Sequence, residues 1–234
     1  MRQVKYIFIR EFSEYFISPI AYIVISIFLL ITGWFFFSSF FLSNQAALRA
    51  FFLLLPITFS FVVPAIPMRL LSEEINIGTY ETLLTLPVTF RDVLLGKFLA
   101  ATAFTTAMLV PTLAYPIFIS FLGDIDWGPV IGGYIGAILL GAAFSSIGLF
   151  ASSLTRNQII AFIIGMVICF FLTLIDKMLF FFPSSIVGFL QYIAAGYHFE
   201  NISKGIIDSR DIIYFLSLSF LGLYGSHLIL QEKY

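Results

Sequence analysis

Charged side chains interrupt this chain rarely, and the gaps between them set its architecture. Charge-free stretches run 15–48, 50–68, 98–123, 127–155, 157–175, 178–199 and 212–231. Each is near or above the ~20 residues that cross a bilayer as a helix. Isolated strands find no backbone partners in lipid. A barrel would show short alternating segments, and none occur. The reading is therefore all-α and polytopic. Only Asp176 and Lys177 separate the fifth stretch from the sixth. Two residues are too few to reverse a helix at a bilayer surface, where connections take about 2–8 residues plus flanks. The sixth stretch also contains Pro183, Gly188, Gln191 and Gly196. Segment 178–211 is therefore predicted to be an outer re-entrant hairpin, shielded by protein or water. Six spans remain, at roughly 20–42, 50–70, 94–122, 130–154, 158–177 and 212–231.

Local signals mark several helix ends. Ser18-Pro19 reads as an N-cap followed by proline at the first helical position. Thr89 with Asp92 reads as a capping box opening the third span. Pro56, Pro64 and Pro67 in the second span and Pro111 and Pro116 in the third predict kinks. Ahead of the first span, Val4, Ile7, Phe8 and Phe12 share a helical period, with Arg2, Lys5 and Glu14 off it. Residues 1–17 therefore read as an amphipathic helix in the membrane interface. Ser145, Ser146 and Ser152 sit among Gly141, Gly148 and Ala151, a small-residue pattern that suits close helix packing.

Composition agrees. The 234 residues are 60% hydrophobic and 11% charged, with mean hydropathy +1.04 and net charge −1. Such a chain cannot clothe a water-soluble surface, and it has no basic excess for nucleic acid. The single Cys169 leaves no internal disulfide and no CxxC motif. The first segment carries charges to Glu14 and no small-residue cleavage site, so the first apolar run is expected to remain as a span. With the N-terminus inside, Arg2, Lys5, Arg10, Arg69, Arg91, Lys97, Arg156 and Lys233 lie on the cytoplasmic side. Arg49, Lys177, Lys204 and Arg210 lie outside. This bias predicts cytoplasmic N- and C-termini.

Catalytic patterns are missing. Gly96-Lys97 is followed by Phe98, and Arg91 stands where a phosphate loop needs its first glycine. His198 and His227 lack metal-ligand spacing, and His198 reads as interfacial. There is no GxSxG or HExxH, and no ionisable residue at the centre of a span. Asp176 and Lys177, adjacent on a helix, are expected to point apart. An intramembrane enzyme would need a convergent polar cluster within the spans, and the sequence offers none.

The densest polar stretch follows the second span. Gly78 breaks the chain, Thr79 can cap a short helix, and Pro87 ends it. Leu83, Leu84 and Leu86 give that helix an apolar side and Glu81 a charged one, a form suited to docking in a partner's groove. The run Glu73-Glu74, Gly78-Thr79, Glu81, Leu83-Leu84, Pro87-Val88 and Gly96-Lys97 resembles the signature of ABC-2 type permeases. The tail from Tyr197 through Gly205 and Asp211 to Ser217 is similar to the subfamily of the gliding-motility-associated permease and the copper-enzyme maturation permease, and closer to the former. The resemblance covers nearly the whole chain, residues 1–234, as one transmembrane domain in the inner (plasma) membrane. It implies an export subunit with no cofactor of its own, ATP and Mg being used by a separate ABC ATPase. Region 72–92 would couple the two through Glu73, Glu74, Gly78, Thr79, Glu81, Leu83, Leu84 and Pro87. It further implies pairing with a second permease chain, identical or paralogous, and a companion membrane protein with an extracytoplasmic domain. A mechanical or scaffold subunit, driven by ATP but moving no solute, fits the same features.

Overall fold

Proline starts a new helix almost as soon as the first one stops. In the computed structural model, α1 (Arg2–Ile17) ends at Ser18, whose hydroxyl accepts from the Ile20 amide at 3.3 Å, and α2 (Pro19–Ser43) begins. The structure describes residues 2–43, 48–78, 89–206 and 208–233, and among them there is no strand. The second predicted span is two helices, α3 (Arg49–Ala65) and α4 (Met68–Ile77). They break at Ile66 and Pro67, where proline serves as the N-cap of α4. Pro56 and Pro64 lie inside α3 without ending it. The third span is α5 (Phe90–Leu109), a 3-10 turn at Val110–Leu113 that contains Pro111, and α6 (Ala114–Ser120). Asp126 opens α7 (Trp127–Leu154) by accepting from the Gly128 amide, and Asn157 opens α8 (Gln158–Met178) in the same way through Ile159. Two short helices follow, α9 (Ser184–Ile193) and α10 (Ala195–Ser203), then α11 (Ser209–Lys233).

Six of these units are long and apolar enough to cross a membrane: Pro19–Ser38, Arg49–Ile77, Phe90–Ser120, Trp127–Leu154, Gln158–Phe181 and Ser209–Glu232. The six predicted spans and the all-α class are thus observed. Within the bundle α7 is central, touching α3, α4, α5, α8, α10 and α11. Its apolar window is 72% buried, against 17% for α11 and 28% for α2 and α8. Those three turn broad apolar faces outward, as lipid-facing helices do. Glycine lets α7 occupy the centre: a Cβ at Gly133 would come within 2.3 Å of Phe52 Cζ, at the tip of its ring. Phe52 stands edge-on to Tyr134, and Phe36 stacks on Tyr115 at 4.7 Å. With Phe28, Phe51, Phe59 and Phe144, all at most 2% exposed, these rings fill the interior. Each such burial contributes about 1.5–3 kcal/mol relative to exposure in water, less where the alternative is lipid.

Candidate functional site

Helix α4 stops at Gly78, which adopts φ +81°, ψ 4°, a left-handed cap that glycine takes without strain. The chain is next described at Thr89, where the expected capping box is present. Thr89 Oγ1 accepts from the Asp92 amide at 3.2 Å, and the Thr89 amide donates to Asp92 Oδ2 at 3.2 Å. The segment between these two fixed ends holds Thr79, Glu81, Leu83, Leu84 and Pro87. The expected short helix at 79–86 therefore lies outside the described residues.

What anchors both ends is an ion-pair cluster. Lys97 of α5 is fully buried. Its Nζ donates to Glu74 Oε1 at 2.7 Å and to Glu11 Oε1 at 2.9 Å. Arg10 donates from Nη2 to Glu11 Oε1 at 2.6 Å and to Glu74 Oε1 at 3.3 Å, and its Nε lies 3.7 Å from Glu14. Arg10, Lys97, Glu11 and Glu74 sum to zero charge, so the buried cation has its counter-ions within contact. Removing Lys97 or Glu11 costs about 3–5 kcal/mol, because the other of the two stays buried. Burial pushes the Glu11 carboxyl up, but Lys97 and then Arg10 outweigh it and hold it below the ordinary carboxylate value. The cluster joins three elements: α1, the end of α4 and the first turns of α5.

Gly96 explains why α1 can lie so close. A Cβ there would come within 2.7 Å of Ile7 Cγ2. Ile7, Glu11 and Tyr15 form the inward stripe of α1, and all three are buried. Tyr15 donates its hydroxyl to the Ile66 carbonyl at 3.0 Å, in the break between α3 and α4, and the Arg69 guanidinium lies 5.4 Å over its ring. From the other side Ser152 of α7 grips the first turn of α4. Its hydroxyl accepts from the Leu71 and Ser72 amides and donates to the Met68 carbonyl at 2.8 Å. Helix α4 is thus clamped between α1 and α7. Beside it a cavity of about 320 Å³ is lined by Glu11, Glu14, Arg69, Glu73 and Glu74.

Of the candidate residues, Glu74 and Gly78 fall at this anchor, and Glu73 faces the acidic cavity. Glu11 and Arg10 belong to the same cluster but went unread in the sequence, where Glu11 looks like one more solvated charge. The signal was its position, four residues from both Ile7 and Tyr15 on the apolar stripe of α1. One other expectation needs correction. Asp176 and Lys177 do not point apart: Lys177 Nζ reaches Asp176 Oδ2 at 2.9 Å, because a half-exposed lysine is long enough to fold back on its neighbour. His198 is buried against Asp211. Among the described residues no three His, Cys, Asp or Glu side chains are grouped to hold a metal.

A comparison with curated proteins finds no significant match. The family model described as ABC-2 family transporter protein matches residues 6–211. That match takes in most of α1, the clamp, the first five apolar spans and the α9–α10 pair. With six helices able to cross a membrane, the chain belongs to the ABC-2 transporter family, as a multi-pass membrane permease component of an ABC transporter.

Proposed function

We propose that this permease couples ATP hydrolysis by a separate ATPase subunit to export, in a system of the gliding-motility type, and that region 72–92 is the point of transmission. The observation that carries the reading is the clamp. The segment leaving Gly78 and returning at Thr89 starts and ends on structure fixed by Lys97, Glu74 and Glu11. Residues 79–86 act as a coupling helix in a cleft of the ATPase, with Leu83 and Leu84 in an apolar groove and Glu81 against a basic partner. A push on a short element so mounted passes into α4 and α5 instead of being absorbed. Both termini and this region face the cytoplasm of the inner membrane, with the eight-to-four bias of Lys and Arg as support. Segment 178–211 dips into the membrane from outside. Its exposed Phe180, Phe181 and Phe189, from 68% to 93% accessible, favour lipid over water. A second permease chain, identical or paralogous, completes the membrane unit, and a companion with an extracytoplasmic domain joins it.

Co-purification tests the transmission role. Leu84→Asp is expected to weaken ATPase binding by roughly 30- to 1000-fold, about 2–4 kcal/mol, with the six-helix fold intact. Retention of the ATPase with full stimulated hydrolysis by that variant would overturn the assignment. Labelling of single cysteines in intact cells tests orientation: sites near Asp124 should react and sites near Glu81 should not.

A further inference from the structure

Helix α9 ends at Ile193 and α10 starts at Ala195, so the last carbonyls of α9 have no partners in their own helix. Side chains from beyond α9 take two of them. Tyr214 of α11 donates its hydroxyl to the Ile193 carbonyl at 2.6 Å, and His198 Nε2 lies 3.2 Å from the Tyr192 carbonyl. The other ring nitrogen, Nδ1, lies 2.6 Å from Asp211 Oδ1. The imidazole stacks on the Tyr214 ring with centroids 4.1 Å apart. His198 and Asp211 are 4% and 3% exposed, which leaves little room for water to replace these contacts.

Counting protons shows what the arrangement requires. A neutral imidazole has one donor nitrogen and one acceptor. Here both nitrogens face acceptors, a carboxylate oxygen and a carbonyl oxygen. Both contacts are hydrogen bonds only when the His198–Asp211 pair holds one proton more than a neutral imidazole beside a carboxylate. Its location, on Nδ1 or on Asp211 Oδ1, does not matter, because it belongs to the pair. Once it leaves, the remaining ring proton goes to the charge-assisted bond with Asp211. Nε2 then turns a lone pair on the Tyr192 carbonyl and repels it.

We propose that His198 and Asp211 form a proton-operated latch, which caps α9 at the Tyr192 carbonyl while it holds the extra proton and frees the α9–α10 elbow from that cap on losing it, the Tyr214–Ile193 and His198–Asp211 bonds keeping both helices on α11. The other charged and titratable groups nearby leave the role to this pair. Tyr192 and Tyr197 flank the ring, and Asp208 and Arg210 line, with His198 and Asp211, a cavity of about 170 Å³. On α8, Asp176 lies against Gly196 and is bonded to Lys177. On α10, Glu200 is bonded to Lys204, with Arg49 of α3 acting on it from farther off. Helix α7 has no charged residue. Which compartment the latch senses rests on the orientation proposed above, and its operation does not.

The test is a pH titration of the full chain in lipid nanodiscs with ¹⁵N-labelled histidine, His227→Gln assigning the only other histidine signal. As pH rises, His198 Nε2 should pass from protonated to bare, whether the extra proton starts on Nδ1 or on Asp211. Hydrogen exchange at amides 194–198, corrected for its intrinsic pH dependence, should rise about tenfold through the same transition, the opening expected for one lost hydrogen bond. His198→Gln should exchange at a rate that pH does not change. An Nε2 that keeps one protonation state throughout, or a His198→Gln chain with the same pH-dependent rise, would overturn the latch. The wild-type titration stands without any variant. No ATPase is needed, so failure here leaves the transport reading untouched.

Discussion

A lysine with no exposed surface survives only because carboxylates surround it, and the converse holds for Glu11. Lys97→Met keeps the length and apolar stem of the side chain but leaves Glu11 with Arg10 alone. The expected loss is about 3 kcal/mol, the low end for a broken buried pair. Combining it with Glu11→Gln should return part of that loss, since the stranded charge is gone, and the difference measures the coupling. Cys169 is the chain's single cysteine and is fully buried, so a thiol-reactive dye followed on heating reports unfolding directly. Acid probes the same pair without mutation. The folded Glu11 carboxyl lies below its ordinary value of 4.5. Its contribution is therefore complete above that value and fades as pH falls through the lower, folded one. Amide exchange in α1 should rise on acidification in that window, and Glu11→Gln should remove the transition.

Among the elements, α1 depends most on one neighbour. Gly96→Leu would drive a side chain into Ile7 and lift α1 from α5, at about 1–3 kcal/mol for overpacking. Protease cleavage near Arg10 should accelerate while the central bundle stays protected. The spans themselves were legible because lipid tolerates few charges, and charge-free intervals locate five of the six within a few residues. The second was drawn too short, to 70 where the helices run to Ile77. Arg69 and Glu74 looked like the end of a span because charge signals water when read alone. In the structure Glu74 is held by Lys97 and Arg69 lies over Tyr15. Capping signals read well, because Thr89 and Asp92 act within four residues. Contacts such as Ser152 with Leu71 or Glu11 with Lys97 span about eighty residues, and no local pattern encodes them.

For the molecule as a whole, the distance along the chain between Glu11 and Lys97 has a consequence for synthesis. The two are 86 residues apart, and α1 leaves the ribosome first. Until Lys97 follows, a buried Glu11 would have only the half-exposed Arg10 as counter-ion, so α1 waits at the membrane surface while α2, α3 and α4 insert ahead of it. Its apolar stripe makes the surface a tolerable waiting place. Docking of the first helix is therefore a late event in biogenesis, licensed by arrival of the third membrane segment. Nascent chains arrested before residue 97 should leave Arg10 open to protease, and chains arrested after α5 has emerged should protect it.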